Sequence, residues 1–300
     1  MKSEKWTTDN IPDQTGRVVL ITGANSGIGF EAAKVLASKG ADVVMAVRNQ
    51  EKGNQAKAEI MKAHAQAKVT VSLLDLSSLK SVKVFCETFS KTQTRLDVLI
   101  NNAGIMIPPY GKTEDGFESQ MGTNHLGHFA LTSQLFPLLK STVGSRIVNV
   151  SSTAHNMGNI NFDDIHWESR KYIPWKAYGD SKIANLYFTN ELGRRMQAAG
   201  LDVTTTAAHP GYAATGLQKG LFLKFLNVVV AQSGFMGAMP TLMAAIDPKA
   251  STGNFYGPSG IAQQRGWPKQ VTPNKLSQDA EIAKKLWATS EELTGIKFSI

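Results

Sequence analysis

The chain has 300 residues, 42% of them hydrophobic and 19% charged, with 26 glycines and 11 prolines. That size and balance fit one large folded core and exclude wholesale disorder, collagen-like repeats and a polytopic membrane protein. The lone cysteine, Cys86, excludes an intrachain disulfide framework, and a formal charge of +8 leaves nucleic acid, an anionic membrane surface and a phosphorylated ligand all open as partners.

Residues 1–14 are polar and mixed in charge, matching neither a secretory signal nor an Arg-rich transit peptide. No stretch reaches the about 18 apolar residues that suggest a membrane span. A soluble, cytoplasmic protein without a transmembrane segment is the expectation. From there, short apolar runs alternate with segments of helical spacing. Strands are expected over 17–22, 42–47, 69–74, 96–101, 146–151 and 203–208. Helices are expected over 28–38 and 50–65, through Val82, Phe85 and Phe89, and over 124–139 and 178–198. Residues 257–260 read as a turn near the sheet edge, and 277–293 as a surface amphipathic helix. Cys86, between Phe85 and Phe89, reads as core rather than nucleophile.

Apolar strands alternating with helices predict an α/β fold: a single Rossmann-type, doubly wound parallel sheet with helices on both faces. One domain over 1–300 is expected, with a core over about 16–216 and a lid and C-terminal segment over about 217–300. Two segments depart from the alternation. Residues 153–176 carry Trp167, Tyr172 and Trp175, and 212–232 carry Leu221, Phe222, Leu223, Phe225 and Leu226. Either they build a ligand site at the carboxyl ends of the strands, or they cap the core.

The stretch Thr22–Gly23–Ala24–Asn25–Ser26–Gly27–Ile28–Gly29 joins the first strand to the first helix. Glycines there allow tight backbone geometry and close ligand approach, and a helix start offers N–H groups and a positive dipole end to a pyrophosphate. No Lys-Ser or Lys-Thr follows, so a P-loop is not indicated. The second strand ends in Ala46–Val47–Arg48–Asn49, where an adenosine ribose would be read. Val47 cannot accept from ribose hydroxyls, while Arg48 can pair with a 2′-phosphate, so NADP(H) is the expected cofactor unless Arg48 is a solvated surface residue.

These pieces resemble the classical short-chain dehydrogenase/reductase family. Its glycine turn matches 22–29, its adenine-contacting pair Asp75–Leu76, and its motif after the fourth strand Asn101–Asn102–Ala103–Gly104. Asn124, Ser152, Tyr178 and Lys182 fall in the order of its catalytic tetrad, and Pro210–Gly211 with Thr215 fits its nicotinamide-side motif. Within the family, the phrases around Ser152–His155 and Tyr178–Asn185 resemble retinol dehydrogenase-like and light-dependent protochlorophyllide reductase-like members. The resemblance implies cofactor contacts from Gly23, Asn25, Ser26, Gly27, Ile28, Gly29, Asn102, Ala103, Gly104, Tyr178 and Lys182. It also selects Ser152 over the adjacent Ser151, a choice that residue chemistry alone leaves open.

Tyr178 and Lys182 stand four apart on an expected helix, so they share a face. A nearby ammonium and the positive nicotinium of an oxidised cofactor would both favour the phenolate, letting Tyr178 give a proton to a carbonyl or take one from an alcohol. Ser152 would hydrogen-bond the substrate oxygen as charge develops. By resemblance, Lys182 would also hold the nicotinamide ribose, and Asn124 a water linking Lys182 to solvent; Asn124 also suits a helix N-cap. His125 and His128 lack a companion ligand set, so no metal is expected, and His209 is expected to shape the loop at Pro210.

The expected function is therefore NADP(H)-dependent hydride transfer between a carbonyl and an alcohol on an apolar small molecule. Carbon–carbon double-bond reduction and a non-catalytic NADP-sensing role stand as alternatives. Residues 221–231 would form a lid or touch a membrane surface, with Lys219 and Lys224 at the headgroups. A homo-oligomer built on the helices over 124–139 and 178–198 is implied by resemblance. The basic residues are spread out, which argues against nucleic acid.

Overall fold

The computed structural model of the protein describes residues 5–212 and 232–300. Its strands are β1 (Val18–Thr22), β2 (Asp42–Val47), β3 (Lys68–Leu73), β4 (Val98–Asn101), β5 (Ser145–Val150), β6 (Val203–Ala208), β7 (Phe255–Pro258) and β8 (Pro268–Val271). The helices are α1 (Gly27–Ser38), α2 (Gln50–Ala63), α3 (Leu79–Thr92), a composite α4 (Ser119–Met121, a π-helical turn Gly122–Leu126, then Gly127–Ser141), α5 (Pro174–Ala198), α6 (Gly234–Ile246) and α7 (Ala280–Thr294).

Among the described residues the strands form one sheet in the order β3-β2-β1-β4-β5-β6-β7-β8. All adjacent pairs are parallel except β7 with β8, which run antiparallel. The order reverses between β1 and β4, so the chain leaves these two neighbours in opposite directions and opens a crevice at their carboxyl ends.

The strand periodicity sorts the core into two layers. Val19 and Ile21 of β1 face one layer with α1, α2 and α6, while Val18 and Leu20 face the other with α3, α4, α5 and α7. A sheet covered on both faces needs continuous apolar strands, and all five residues of β1 are buried. Cys86 lies in the second layer, where burial pushes its thiol up to about 12. No helix among the described residues is long and apolar enough to cross a membrane.

Three local expectations change. Asn124 does not start a helix: the buried Glu118 carboxylate accepts from the backbone N–H groups of Gln120 and Met121, so α4 begins at Ser119 and Asn124 sits inside its π-helical turn. Residues 257–260 are only partly a turn, because Gly257 and Pro258 pair with Lys269 and Pro268 at the sheet edge. The C-terminal helix α7 is no mere surface helix. Trp287 is 2% exposed and packs against Phe129, Phe188 and Phe298 at centroid distances of 5.4, 5.9 and 4.8 Å.

Burial holds three histidines neutral: His125 is brought down to about 3, and His128 and His209 each to about 4. On unfolding below the ordinary histidine value of about 6.5 these rings take up protons, so stability falls as pH drops. Asp180, pushed up to about 6 by burial, acts in the opposite sense between about 6 and its unfolded value, because the folded chain holds that proton more tightly. The histidines outnumber it. The free energy of urea unfolding should fall by about 2–3 kcal/mol per pH unit near pH 5.5, and a flat profile from pH 7 to 5 would contradict the buried, neutral state of these rings.

Candidate active site

At the end of β1 the chain turns through Gly23 (φ +66°) and enters α1 at Gly27 (φ +56°), a region that side chains rarely adopt. A Cβ at position 29 would lie 2.5 Å from Asn102 Nδ2 and 2.6 Å from the Gly23 carbonyl oxygen. Glycine there lets the loop after β4 lie directly on the turn. The first turns of α2 and α3 are capped by the side chains of Asn49 and Ser78, whereas Ser26, at the N-cap of α1, makes no side-chain cap. The helix start at the crevice therefore keeps its N–H groups and positive dipole end for an anion.

The Thr22 hydroxyl binds this turn to its surroundings. Its oxygen accepts from Asn102 N and Ala103 N, both at 2.9 Å, and lies 2.9 Å from His128 Nε2. Asn102 Nδ2 donates to the Thr22 carbonyl at 2.8 Å. With two donors already on the oxygen, the hydroxyl proton goes to His128 Nε2, and Nδ1–H then donates to the Asn124 carbonyl at 3.0 Å. Asn124 turns its amide sideways: Oδ1 accepts from Ile105 N at 2.8 Å, and Nδ2 donates to Ile105 O at 3.0 Å and Ser181 Oγ at 2.9 Å. A Cβ at Gly104 would meet Asn124 Oδ1 at 3.0 Å and Lys182 Nζ at 3.4 Å.

Tyr178 and Lys182 stand one turn apart on α5, both buried, with Lys182 Nζ 5.7 Å from the centre of the Tyr178 ring. The ammonium donates to the Val150 carbonyl at 3.1 Å. Burial brings Lys182 down to about 8 and pushes Tyr178 up to about 12, with the Ser152 hydroxyl pulling the phenol the other way. In the protein alone, desolvation is the largest influence on Tyr178, and the Ser152 hydroxyl is the group that opposes it.

The two serines after β5 diverge. Ser151 is buried and donates to the Lys182 carbonyl at 2.7 Å. Ser152 accepts from Ala154 N at 3.2 Å, which leaves its O–H as a donor, and it lines a cavity of about 600 Å³ together with Tyr178. Met106, Trp175, Tyr212 and Gln263 also line that cavity, as do Ile28, Pro210 and Gly211.

Other expected cofactor residues are spread along the crevice. Arg48 is exposed at the end of β2, and Asn49 accepts from Lys52 N at 2.9 Å as the cap of α2. Asp75 Oδ1 accepts from the backbone and hydroxyl of Ser77 at 2.9 and 2.6 Å, while Leu76 is buried. Asn25 is half-buried in the glycine turn. Thr215 and the apolar run 221–231 lie outside the described residues.

The short chain dehydrogenase family profile matches residues 17–224. The chain belongs to the short-chain dehydrogenase family. Retinol dehydrogenase 13 of Homo sapiens is 40% identical over 294 residues, with 94% of this chain and 86% of that protein covered. Retinol dehydrogenase 12 of Mus musculus is 41% identical over 289 residues, covering 94% and 88%. An uncharacterized protein of Mycobacterium paratuberculosis has a crystal structure that superposes with a TM-score of 0.85 at 43% identity, covering 99% of this chain and 100% of that one. A short chain dehydrogenase of Shigella flexneri, solved in complex with NADP, shares the fold at a TM-score of 0.64 and 24% identity, covering 81% and 97%. This member is therefore retinol dehydrogenase-like, an oxidoreductase acting on alcohol and carbonyl groups.

The sequence reading passed over part of this dehydrogenase's site. The far wall comes from Ala262, Gln263 and Gln264, more than a hundred residues beyond Ser152, and Ala262 and Gln263 hold positive φ values of 49° and 57°. Buried Glu118 and Gln120, with half-buried Tyr172, hold the loop at Ile107, itself at φ +56°: Tyr172 O–H donates to Glu118 Oε1 at 2.8 Å, and Gln120 Oε1 accepts from Ile107 N at 2.8 Å. Nothing local in the sequence marks these contacts.

The close approach at Gly29 makes a direct prediction. Gly29→Ala should destabilise the chain by about 1–3 kcal/mol, since Asn102 must move to make room, and a urea midpoint equal to the wild type would show that the loop after β4 is not locked onto the turn.

Proposed function

We propose that this dehydrogenase uses NADP(H) to interconvert an apolar alcohol and its carbonyl, with Tyr178 as general acid in reduction and general base in oxidation. The observation that carries the reading is that Tyr178 and Ser152 open onto one cavity while Lys182 stands a turn behind the phenol. A nicotinamide cofactor, when bound, supplies or takes the hydride.

The residues present fit such a cofactor. The glycine turn and the free start of α1 suit its pyrophosphate, and Gly104 leaves open the space beside Lys182 that a Cβ would fill. Asn102 braces the turn, and Lys182 would hold a ribose hydroxyl. Exposed Arg48, with no acid beside it at Val47, suits a 2′-phosphate, and the NADP-bound Shigella flexneri relative uses the same fold. Asp75 and Leu76 would flank the adenine, with Pro210, Gly211 and Thr215 on the nicotinamide side.

Ser152 donates its hydroxyl proton to the substrate oxygen and so stabilises charge as it grows there. Tyr178, which burial keeps protonated, gives its proton to that oxygen in reduction, and takes one from the alcohol in oxidation once positive charge nearby lowers its proton affinity. Asn124 would hold a water linking Lys182 to solvent, while its side-chain amide fixes the loop at Ile105. Met106, Trp175 and Tyr212 give the cavity apolar walls, and the retinol dehydrogenases to which the chain is similar point to a long apolar alcohol.

A panel of apolar and polar aldehydes and ketones with NADPH and NADH tests this. Tyr178→Phe should lower kcat by about 100-fold or more with cofactor binding retained; activity within a few fold of wild type would remove Tyr178 from proton transfer. Arg48→Ala should raise the NADPH KM by about tenfold or more and leave that for NADH unchanged. Equal losses with both cofactors would end the 2′-phosphate assignment.

A further inference from the structure

Ser152 is gripped from one side by a single residue. Its carbonyl oxygen accepts from His155 N at 3.0 Å and lies 2.6 Å from His155 Nδ1. The other ring nitrogen, Nε2, accepts from the backbone N–H of Asn274 at 3.2 Å. A neutral imidazole carries one proton, so a ring that accepts at Nε2 donates at Nδ1. Burial lowers the proton affinity of His155, which keeps the ring neutral near pH 7. Asn274 also closes the contact from its own side, with Nδ2 donating to the His155 carbonyl at 3.1 Å.

The ring is fixed in the remaining directions by packing. His155 is 3% exposed and stands edge-on to Phe255 of β7, with centroids 5.5 Å apart and planes at 89°. His209 leans on the same phenyl at 5.2 Å but has the opposite tautomer: its Nδ1 accepts from Gly211 N at 3.2 Å, so Nε2–H donates to Gln263 Oε1 at 2.8 Å. Each tautomer is thus set by its own backbone donor.

We propose that His155 is a positioning residue for Ser152: with its tautomer set by the Asn274 N–H, its Nδ1–H holds the Ser152 carbonyl and thereby aims the Ser152 hydroxyl into the cavity. The contact spans 119 residues between His155 and Asn274, so the segment after β8 sets the geometry of a group at the end of β5. The consequence is large because a misplacement of about 1 Å costs about 100-fold in rate. This inference rests on the reading of Ser152 as the donor to the substrate oxygen.

The test uses the full chain with NADPH and whichever of retinal, citral and decanal turns over fastest. Ser152→Ala should lower kcat by about 100-fold. His155→Leu should lower it by about 10- to 100-fold with the NADPH KM within about twofold of wild type, and His155→Asn, whose Nδ2 takes the place of Nδ1, should recover most of that loss. In a Ser152→Ala background, His155→Leu should cost less than about twofold more. Full kcat in Ser152→Ala would remove the reading of Ser152 itself. An impaired Ser152→Ala on which His155→Leu inflicts its whole loss again would overturn the positioning role alone. Ring ¹⁵N shifts of wild-type His155 at pH 7 need no variant and decide the same point if His155→Leu does not fold: a protonated Nδ1 is expected, and a protonated Nε2 would overturn the proposal.

Discussion

The site depends on one hydroxyl, that of Thr22. It ends β1, receives the backbone of Asn102 and Ala103 from the loop after β4, and hands its own proton to His128 of α4. Three elements from different parts of the chain thereby meet on one oxygen that is shut off from the surface. A buried hydroxyl with all its hydrogen-bonding capacity met is rigid, and removing one partner leaves the others unsatisfied. From His128 the network passes to the Asn124 carbonyl, and the Asn124 amide holds Ile105 and Ser181. The glycine turn, the loop beside it and the helix bearing Tyr178 are positioned by the same chain of contacts.

Against that rigid frame, the reactive pair is electrostatically unsettled. Lys182 and Tyr178 are buried with no carboxylate beside them among the described residues, and desolvation moves each toward its neutral form. Burying such groups costs stability, and shifted proton affinities of this kind cluster where a protein does chemistry. The backbone around the cavity is strained in the same neighbourhood, with Ile107, Ala262 and Gln263 all at positive φ. A β-branched residue such as Ile107 adopts that conformation only when its surroundings compel it, and Gln120 supplies the hydrogen bond that does so.

Where the chemistry is local, the sequence was readable. The strands β1, β2 and β4 appear as apolar runs because a sheet covered on both faces demands them. The glycine turn is legible because Gly29 answers a steric need, and the Tyr178–Lys182 spacing because four residues make a helical turn. Misreadings came where a distant partner decided. Asn124 looks like a cap, but the buried Glu118 carboxylate starts the helix earlier, and the amide of Asn124 serves the loop instead. The helix α7 looks like a surface helix because its moderate amphipathy does not reveal that Phe129, Phe188 and Phe298 wait for Trp287.

By itself, then, the sequence determined the fold class, the order of elements, the family and the identity of the residues that gather at the strand ends. All of these follow from periodicity and from short motifs whose members are neighbours in the chain. The family motif selects Ser152 over Ser151, but only the tertiary structure gave a physical difference between them, by tying one hydroxyl back to the Lys182 carbonyl and leaving the other at the cavity. Only it joined His155 to Asn274 and closed the cavity with Gln263 and Gln264. Those contacts cross a hundred residues or more, and no local preference encodes them: their geometry exists only once the sheet has brought β5, β6, β7 and β8 side by side.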